Sequence, residues 1–462
     1  MPGRVLAGVF FYPRGGSAQV VRSLAHALPR AGWEVTVVAG SLGAPGDRGH
    51  AETFYAGIDV HTVDYTPAAR LPDPLAAPVP FQPSYEDRPG SPDRVFAAVG
   101  EDAYERLVSV WADALERAGA GRADVLHLHH LTPLHEAALR AFPGVPLVGE
   151  LHGTELAFLR ELEHGPPSGW TYAEAWRGRM RRWAQAPSRL VASAADAAAE
   201  AGRLLGVDAA RILTVPNGID PELFDRRPPD GAARLAHWRR RLVEDPRGWD
   251  ESGVPGSVRY TMDDLAPFRA GGPVLLYSGR YTAVKRIPLL VRAHARASRR
   301  FSRPAPLVLL GGYPGEWEGE HPLAAVRASG SRDVFLAGWH EHDELPAALN
   351  AADLLVLPSV ADAFGLVLVE AMACGLPVIA CDAHGPRTIV EAGQTGWLVP
   401  PDDEDALVEA LVEAVEGEEE RHRRGGLAYR RSRERYAWPA LARRLAGAYE
   451  SLAGAADAPS GG

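Results

Sequence analysis

Two acids and two cations in the C-terminal half have the types and spacing to do chemistry. Asp362 and Glu370 lie eight residues apart in PSVADAFGLVLVEAMACGLPVIAC, residues 358–381. An apolar strand, 354–357, stops at Pro358, and a polar loop, 359–365, carries Asp362. Helix-compatible spacing covers 366–374, Gly375 ends it, and 378–381 is the next strand. Asp362 then falls in the loop, and Glu370 about one and a half turns into the helix. Both carboxylates are expected to face one crevice at the carboxyl end of a parallel sheet, where open α/β sheets bind ligands. Taken alone, the pair also fits a surface acid beside a partly exposed helix.

Arg280 and Lys285 stand five apart on the loop after an apolar strand at 274–278. Two cations there suit a diphosphate, the guanidinium as a bidentate fork and the ammonium as a point charge. A carboxylate at Glu370 suits two ribose hydroxyls. The N–H groups of Gly365, Leu366 and Val367 open the helix and suit phosphate oxygens. The set reads as a nucleoside-diphosphate site built without a P-loop.

The N-terminal half has its own polar strand ends. Tyr12-Pro13-Arg14-Gly15-Gly16-Ser17 follows a strand at 5–10 and leads into an amphipathic helix, 18–31. Gly15 and Gly16 let the backbone approach a ligand, and the helix start favours an anion by ~0.3–1 kcal/mol. The spacing is not GxGxxG, so NAD has little support. His127, His129, His130 and His135 place four histidines within nine residues. Strand alternation puts only His127 and His129 on one face, and no acid or cysteine has ligand spacing to them. A polar strand end lining a pocket is expected there, and no metal. His152-Gly153-Thr154-Glu155 follows a strand at 147–151, where His152 suits a hydrogen bond to a polar ligand or its phosphate. The basic stretch WRGRMRRWA, 176–184, reads as a solvated face or an anion rim, with membrane contact left open.

Elements must hold these residues in place, and the chain has the length for it. With 462 residues, 46% of them hydrophobic, two domains are expected. Strands are expected at 5–10, 35–39, 58–63, 124–129, 147–151, 189–193 and 212–215 in the first half. The second half repeats the pattern at 274–278, 307–311, 334–337, 354–357, 378–381 and 397–399. Alternation with helices implies two parallel sheets, each covered on both faces. Residues 65–93 carry eight prolines and read as an irregular excursion or mobile flap, and 95–118 as a helix. After Asp405 a helical tail is expected, broken at Gly425 and Gly426, with a last amphipathic helix at 436–452. The expected divisions are a domain at 1–218, a linker and insertion at 219–272, a domain at 273–435, and a last helix and tail at 436–462. The net charge of −10 disfavours nucleic acid, and no run of 18 apolar residues suggests a membrane span. The N-terminus has no signal-peptide layout, and Cys374 and Cys381 share one strand–helix–strand unit, so a reducing cytoplasm is expected.

Together these motifs resemble the retaining glycosyltransferases of family 4, which have the GT-B fold, and the resemblance covers nearly the whole chain. Its strongest part is Pro358-Ser359, Asp362-Ala363-Phe364-Gly365-Leu366, Glu370-Ala371-Met372-Ala373 and Gly375-Leu376-Pro377-Val378, which resembles the family's E-x7-E element. Gly15-Gly16, His152-Gly153, Val215-Pro216-Asn217-Gly218-Ile219-Asp220, Gly279-Arg280 and Lys285 support it. The resemblance implies an α/β fold of two Rossmann-like parallel-sheet domains facing across a cleft, with the C-terminal helix crossing back to the N-terminal domain. It implies transfer of a sugar from a nucleoside-diphosphate sugar, with retention, to a hydroxyl of an acceptor bound by the N-terminal domain. The acidic net charge favours a small soluble acceptor over a lipid, which the basic stretch at 176–184 leaves open.

By the same resemblance Arg280 and Lys285 hold the donor diphosphate, Glu370 the ribose, and Asp362 the transferred sugar, with Gly279 in the same donor site. Gly15 and Gly16 approach the phosphates or sugar, and Asn217, Phe364, Gly365, Leu366 and Val367 belong to the donor site. Residues 336–340, with Trp339, lie near the base. His152 lines the reaction centre, and His129, His130 and Glu155 lie on the acceptor side. No cofactor or metal is implied, because cationic side chains neutralise the diphosphate. Asp362 departs from the family's glutamate: it keeps the charge and loses a methylene, which puts the donor sugar in question. A GT-B epimerase or hydrolase acting on one sugar nucleotide, or a non-catalytic sugar-nucleotide binding protein, fits the same motifs. High Ala, Arg, Gly and Pro content fits a high-GC bacterial genome and specialised metabolism.

Overall fold

Short apolar runs rich in Val, Ile and Leu become fully buried strands, as expected where helices cover both faces of a parallel sheet. In the computed structural model, which describes residues 2–86 and 92–456, the chain forms two compact units. One runs to Gly218 and resumes at Trp438; the other is Ile219–Ala437. The first holds β1 (Gly3–Val9), β2 (Trp33–Ser41), β3 (Asp59–Asp64), β4 (Val125–His129), β5 (Leu147–Glu150), β6 (Arg189–Ala192) and β7 (Ile212–Thr214). They pair in the order β3-β2-β1-β4-β5-β6-β7, all parallel. The second holds β8 (Leu275–Gly279), β9 (Leu307–Gly311), β10 (Val334–Gly338), β11 (Leu354–Leu357), β12 (Val378–Cys381) and β13 (Gly396–Val399). Their order is β10-β9-β8-β11-β12-β13, again all parallel.

Each sheet reverses its strand order once, between β1 and β4 in the first and between β8 and β11 in the second. Connections leaving the two strands at such a point part to opposite faces and open a crevice at their carboxyl ends. Gly15 and Gly16 follow β1, and His129 ends β4. Gly279 ends β8, and Pro358–Asp362 follows β11. Several of the residues expected to do chemistry therefore stand at the two reversals, whereas His152, Asn217 and Trp339 follow other strands.

Several elements differ from the sequence expectations. Residues 65–93 are no loose flap where described: Tyr65, Phe81 and Tyr85 are buried. The Tyr65 hydroxyl donates to the Phe10 carbonyl at 2.9 Å, and Gln82 accepts from the Tyr12 N–H at 2.9 Å. Residues 87–91 of that stretch lie outside the described residues. The helix expected at 95–118 is a short 3-10 turn, Phe96–Ala98, and then helix Glu101–Arg117, begun after Gly100.

The 219–272 stretch belongs to the second unit, and its Trp238, Trp249 and Leu265 are fully buried there. Arg247 bridges Gly338 beside the edge strand β10, Trp249 Nε1 donates to the Gly312 carbonyl at 3.0 Å, and the Leu336 N–H donates to the Tyr260 hydroxyl at 2.8 Å. The stretch covers a sheet edge that would otherwise be open to pairing with another chain.

Gly425 and Gly426 do not break the tail. Helix Glu418–Tyr436 runs through them, because a Cβ at Gly425 would lie 2.4 Å from the Gly375 carbonyl oxygen and only glycine permits that approach. The last helix is Trp438–Ala456, a member of the first unit, with Tyr449 fully buried against Trp33. Among the described residues no helix is long and apolar enough to cross a membrane. The basic stretch at 176–184 lies in helix Ala173–Gln185, and its two tryptophans, Trp176 and Trp183, are core residues.

Candidate functional site

In the second unit, the loop after β8 and the loop after β11 are tied together by backbone. The Val284 carbonyl accepts from the Val360 N–H at 2.9 Å and from the Ser359 hydroxyl at 3.2 Å. That tie places Lys285 Nζ 2.5 Å from Asp362 Oδ1, with 14% and 16% of the two side chains exposed. Burial raises the Asp362 pKa, but Lys285, then the Ser359 hydroxyl and Arg280, outweigh it, so the carboxyl sits below its ordinary value. The other carboxylate oxygen, Oδ2, is buried without a hydrogen bond. Arg280 is exposed, and its carbonyl accepts from the buried Tyr277 hydroxyl at 2.8 Å. Gly279 passes close over Tyr277, whose hydroxyl a Cβ would meet at 2.9 Å. The neighbouring Arg286 is spent elsewhere, on Asp402.

Gly365 caps helix Leu366–Ala373 with φ 96°, a left-handed conformation that favours glycine. The first two residues of the helix, Leu366 and Val367, are partly exposed, and their N–H groups precede the first intrahelical acceptor. Phe364 points the other way: its ring is buried and meets Tyr436 edge-on at 5.9 Å. It anchors the loop from the core side, so its part in a donor site is confined to its backbone.

Glu370 is buried, and its Oε1 lies 2.7 Å from His342 Nε2. His342 begins a 3-10 turn, His342–Glu344, held by a capping box between Glu341 and Glu344, and its ring packs 5.3 Å from Phe224. Asp362 and Glu370 thus have different partners, Lys285 and His342, and do not share one. Sequence reasoning missed His342, since nothing in its local spacing ties it to a helix 28 positions away. Trp339 follows β10 and meets the exposed Tyr313, which follows β9, edge-on at 5.8 Å. Asn217 is buried in the other unit, after β7 at the far edge of its sheet.

In the first unit, Gly15 caps helix Gly16–Ala27 at φ 77°, ψ −161°, a region reserved for glycine. His129 closes β4, His130 follows it directly, and His152 follows β5. The sequence expectation that no acid accompanies the histidines is corrected by Glu150, the last residue of β5. Its Oε2 lies 2.9 Å from His127 Nε2 and 3.7 Å from His129 Nδ1. His127, His129 and Glu150 offer three buried donor atoms within 4.8 Å of one another, a grouping that could hold a metal ion. β4 and β5 are neighbours in register, His129 beside Glu150, a pairing that sequence spacing does not reveal.

The cluster continues outward. His129 Nδ1 lies 3.0 Å from His152 Nε2, and His130 Nδ1 lies 2.7 Å from Glu155 Oε1. Glu155 is fully buried and also accepts from the His152 N–H at 3.2 Å. Burial lowers the His152 pKa to about 4 and puts His129 well below the ordinary imidazole value. Burial raises Glu150 and Glu155, but nearby histidines outweigh it and both stay ionised.

Two family models match. "Glycosyltransferase Family 4" matches residues 14–223, and "Glycosyl transferases group 1" matches residues 264–431. The chain is 31% identical to D-inositol 3-phosphate glycosyltransferase 1 of Catenulispora acidiphila, over 70% of this chain and 70% of that protein. It is 30% identical to alpha-D-kanosaminyltransferase of Streptomyces kanamyceticus, over 42% of this chain and 48% of that protein. Among solved structures it is similar to sucrose-phosphate synthase of Thermosynechococcus elongatus, with TM-score 0.65 and 20% identity over 98% of this chain and 100% of that one. HepE of Anabaena, solved in complex with UDP, has TM-score 0.65 and 18% identity over 97% and 100%.

Proposed function

This chain belongs to glycosyltransferase family 4 and has the GT-B fold, and from that premise we propose that it moves a sugar from a nucleoside-diphosphate sugar to a hydroxyl of a small polar acceptor, with retention. The observation that carries the reading is the loop pair at the β8/β11 reversal. There Arg280 is exposed, Lys285 is fixed on Asp362, and the uncovered start of helix Leu366–Ala373 stands next in the chain. An ammonium has three donors, so Lys285 can keep Asp362 and still meet a phosphate oxygen. The UDP and UDP-glucose complexes of HepE support a nucleotide-sugar donor, and the relatives named for D-inositol 3-phosphate support a small polyol acceptor. Two free buried thiols, Cys374 and Cys381, support a reducing cytoplasm.

In the proposed reaction the acceptor hydroxyl attacks the anomeric carbon from the face that the diphosphate leaves. The glycosyl–phosphate bond breaks, the acceptor–sugar bond forms, and the departing phosphate takes the acceptor's proton. Negative charge grows on the diphosphate, and Arg280, Lys285 and the helix start stabilise it as preorganised donors. No metal is needed for that neutralisation. His152 stays a neutral imidazole, held low by burial, and acts by hydrogen bonding. Glu370 takes the ribose.

The test is a thermal-shift screen of nucleoside diphosphates, followed by donor turnover with and without polyol acceptors. Arg280→Ala is expected to lower turnover by ~10²-fold, the loss seen when one preorganised donor is removed. Turnover should survive EDTA. Normal turnover in Arg280→Ala overturns the site, donor consumption without an acceptor overturns the transfer, and loss on chelation restored by Mg²⁺ overturns the metal-free reading.

A further inference from the structure

The first unit buries two carboxylates among imidazoles, and the partners of each ring nitrogen assign the protons. A carboxylate only accepts. His127 Nε2 lies 2.9 Å from Glu150 Oε2 as an ion-pair contact without hydrogen-bond alignment. A bare lone pair there would be repelled by the carboxylate, so Nε2 carries the proton, and Nδ1 accepts from the Tyr449 hydroxyl at 2.7 Å. His130 Nδ1 faces Glu155 at 2.7 Å and is likewise the donor.

His129 is fully buried. Its Nδ1 lies 3.0 Å from His152 Nε2 and 3.7 Å from the Glu150 carboxylate, while its Nε2 has no hydrogen bond. A buried orphan N–H is rarer and costlier than a buried orphan acceptor. The proton therefore sits on Nδ1, beside the carboxylate, and is donated to His152 Nε2. His152, already accepting there, keeps its own proton on Nδ1. That residue is partly exposed, and among the described residues Nδ1 has no partner.

We infer that His129 is a positioning residue which, held by Glu150, His127 and Tyr449, locks His152 in the Nδ1–H tautomer. His152 then offers its substrate a hydrogen-bond donor and no basic lone pair. It cannot serve as general base toward an acceptor hydroxyl; it donates to an oxygen of the sugar, the leaving phosphate or the acceptor. The C-terminal helix Trp438–Ala456 thereby gains a task, since its Tyr449 hydroxyl meets His127 Nδ1 behind the cluster. It rests on the proposed transfer reaction only in that a substrate must reach His152.

The direct measurement is nitrogen NMR of protein carrying ring-labelled histidine, with His152 assigned from the signals lost in His152→Gln. The expected spectrum is a neutral Nδ1–H imidazole in the wild type, moving toward a tautomer mixture in His129→Ala and recovered in His129→Asn, whose amide can donate in the same place. A neutral Nε2–H His152 in the wild type overturns the inference. So does an unchanged signal in His129→Ala. Zinc bound with one-to-one stoichiometry and lost in Glu150→Gln also overturns it, because a metal on His129 Nδ1 leaves no proton there. In turnover, His152→Asn, whose amide stands near Nδ1, is expected to keep at least tenfold more kcat than His152→Gln, whose amide stands near Nε2. The reverse order refutes the donor role. The spectrum needs no turnover, so an Nδ1–H signal in a protein that turns over no donor would defeat the reaction and leave the tautomer standing.

Discussion

Replacing Lys285 with methionine tests the pairing at the centre of the second unit. The change keeps most of the stem and removes the charge, leaving Asp362 with 16% of its side chain exposed and one oxygen already without a hydrogen bond. Removing one partner of a buried pair costs about 3–5 kcal/mol, and residual solvent contact puts this pair at about 3. For a unit of this size one kcal/mol moves Tm by about 2–4 °C, so a drop of ~6–12 °C is expected.

The pH dependence gives the cause away. In the wild type Asp362 is held below its ordinary 3.8, and its contribution to stability is present above that value and lost as pH falls through the lower folded one. In Lys285→Met burial prevails and lifts the carboxyl above 3.8. The variant is then penalised at neutral pH and relieved as pH falls. Scanning calorimetry at pH 7.5 and pH 4.5 should show the gap between variant and wild type narrowing at the lower pH. Lys285→Met/Asp362→Leu should recover most of the loss, because apolar replacement of both partners is often neutral. A gap of equal size at both pH values, or no gap at pH 7.5, refutes the argument.

Other perturbations follow from the same geometry. Glu370→Ala should weaken binding of a nucleoside diphosphate; unchanged affinity by titration calorimetry rejects the ribose role. Gly425→Ala puts a methyl 2.4 Å from the Gly375 carbonyl and should cost about 1–3 kcal/mol, read as a lower Tm. The protein should lose stability in mild acid. Burial holds His129 low, His135 to about 3 and His152 to about 4, while the unfolded chain takes up protons near the ordinary value of 6.5. Their contribution is full above that pH and is lost below it, by about 1.4 kcal/mol per histidine at one pH unit below. His135, whose ring nitrogens are both buried without hydrogen bonds, should become stabilising as His135→Leu, with a flatter pH profile. A Tm that does not fall between pH 7.5 and pH 5.5 contradicts this.

All thirteen expected strands are present, because a buried parallel strand writes itself as a local apolar run with a glycine, proline or polar residue at its end. Positions at strand ends followed from the same signal, which is why Arg280, Lys285, Asp362, His129 and His152 could be placed in loops and at strand ends from the sequence. Packing was not. Gly425 looks like a helix breaker and is a contact point, and residues 219–272 look like a linker and cover a sheet edge.

Local patterns of residues carry the two β-α alternating halves, the glycines that open helices at Gly15 and Gly365, and the charged residues at the carboxyl ends of the strands. Who partners whom emerges only when the chain folds. Lys285 and Asp362 are 77 positions apart, and Tyr449 and His127 are 322 apart. Strand order brings such residues together, and strand order is set by how helices pack on the sheet. No local spacing encodes it. The two acids that share a motif therefore went to different partners, and the histidines that lacked an acid in sequence found Glu150 on the neighbouring strand.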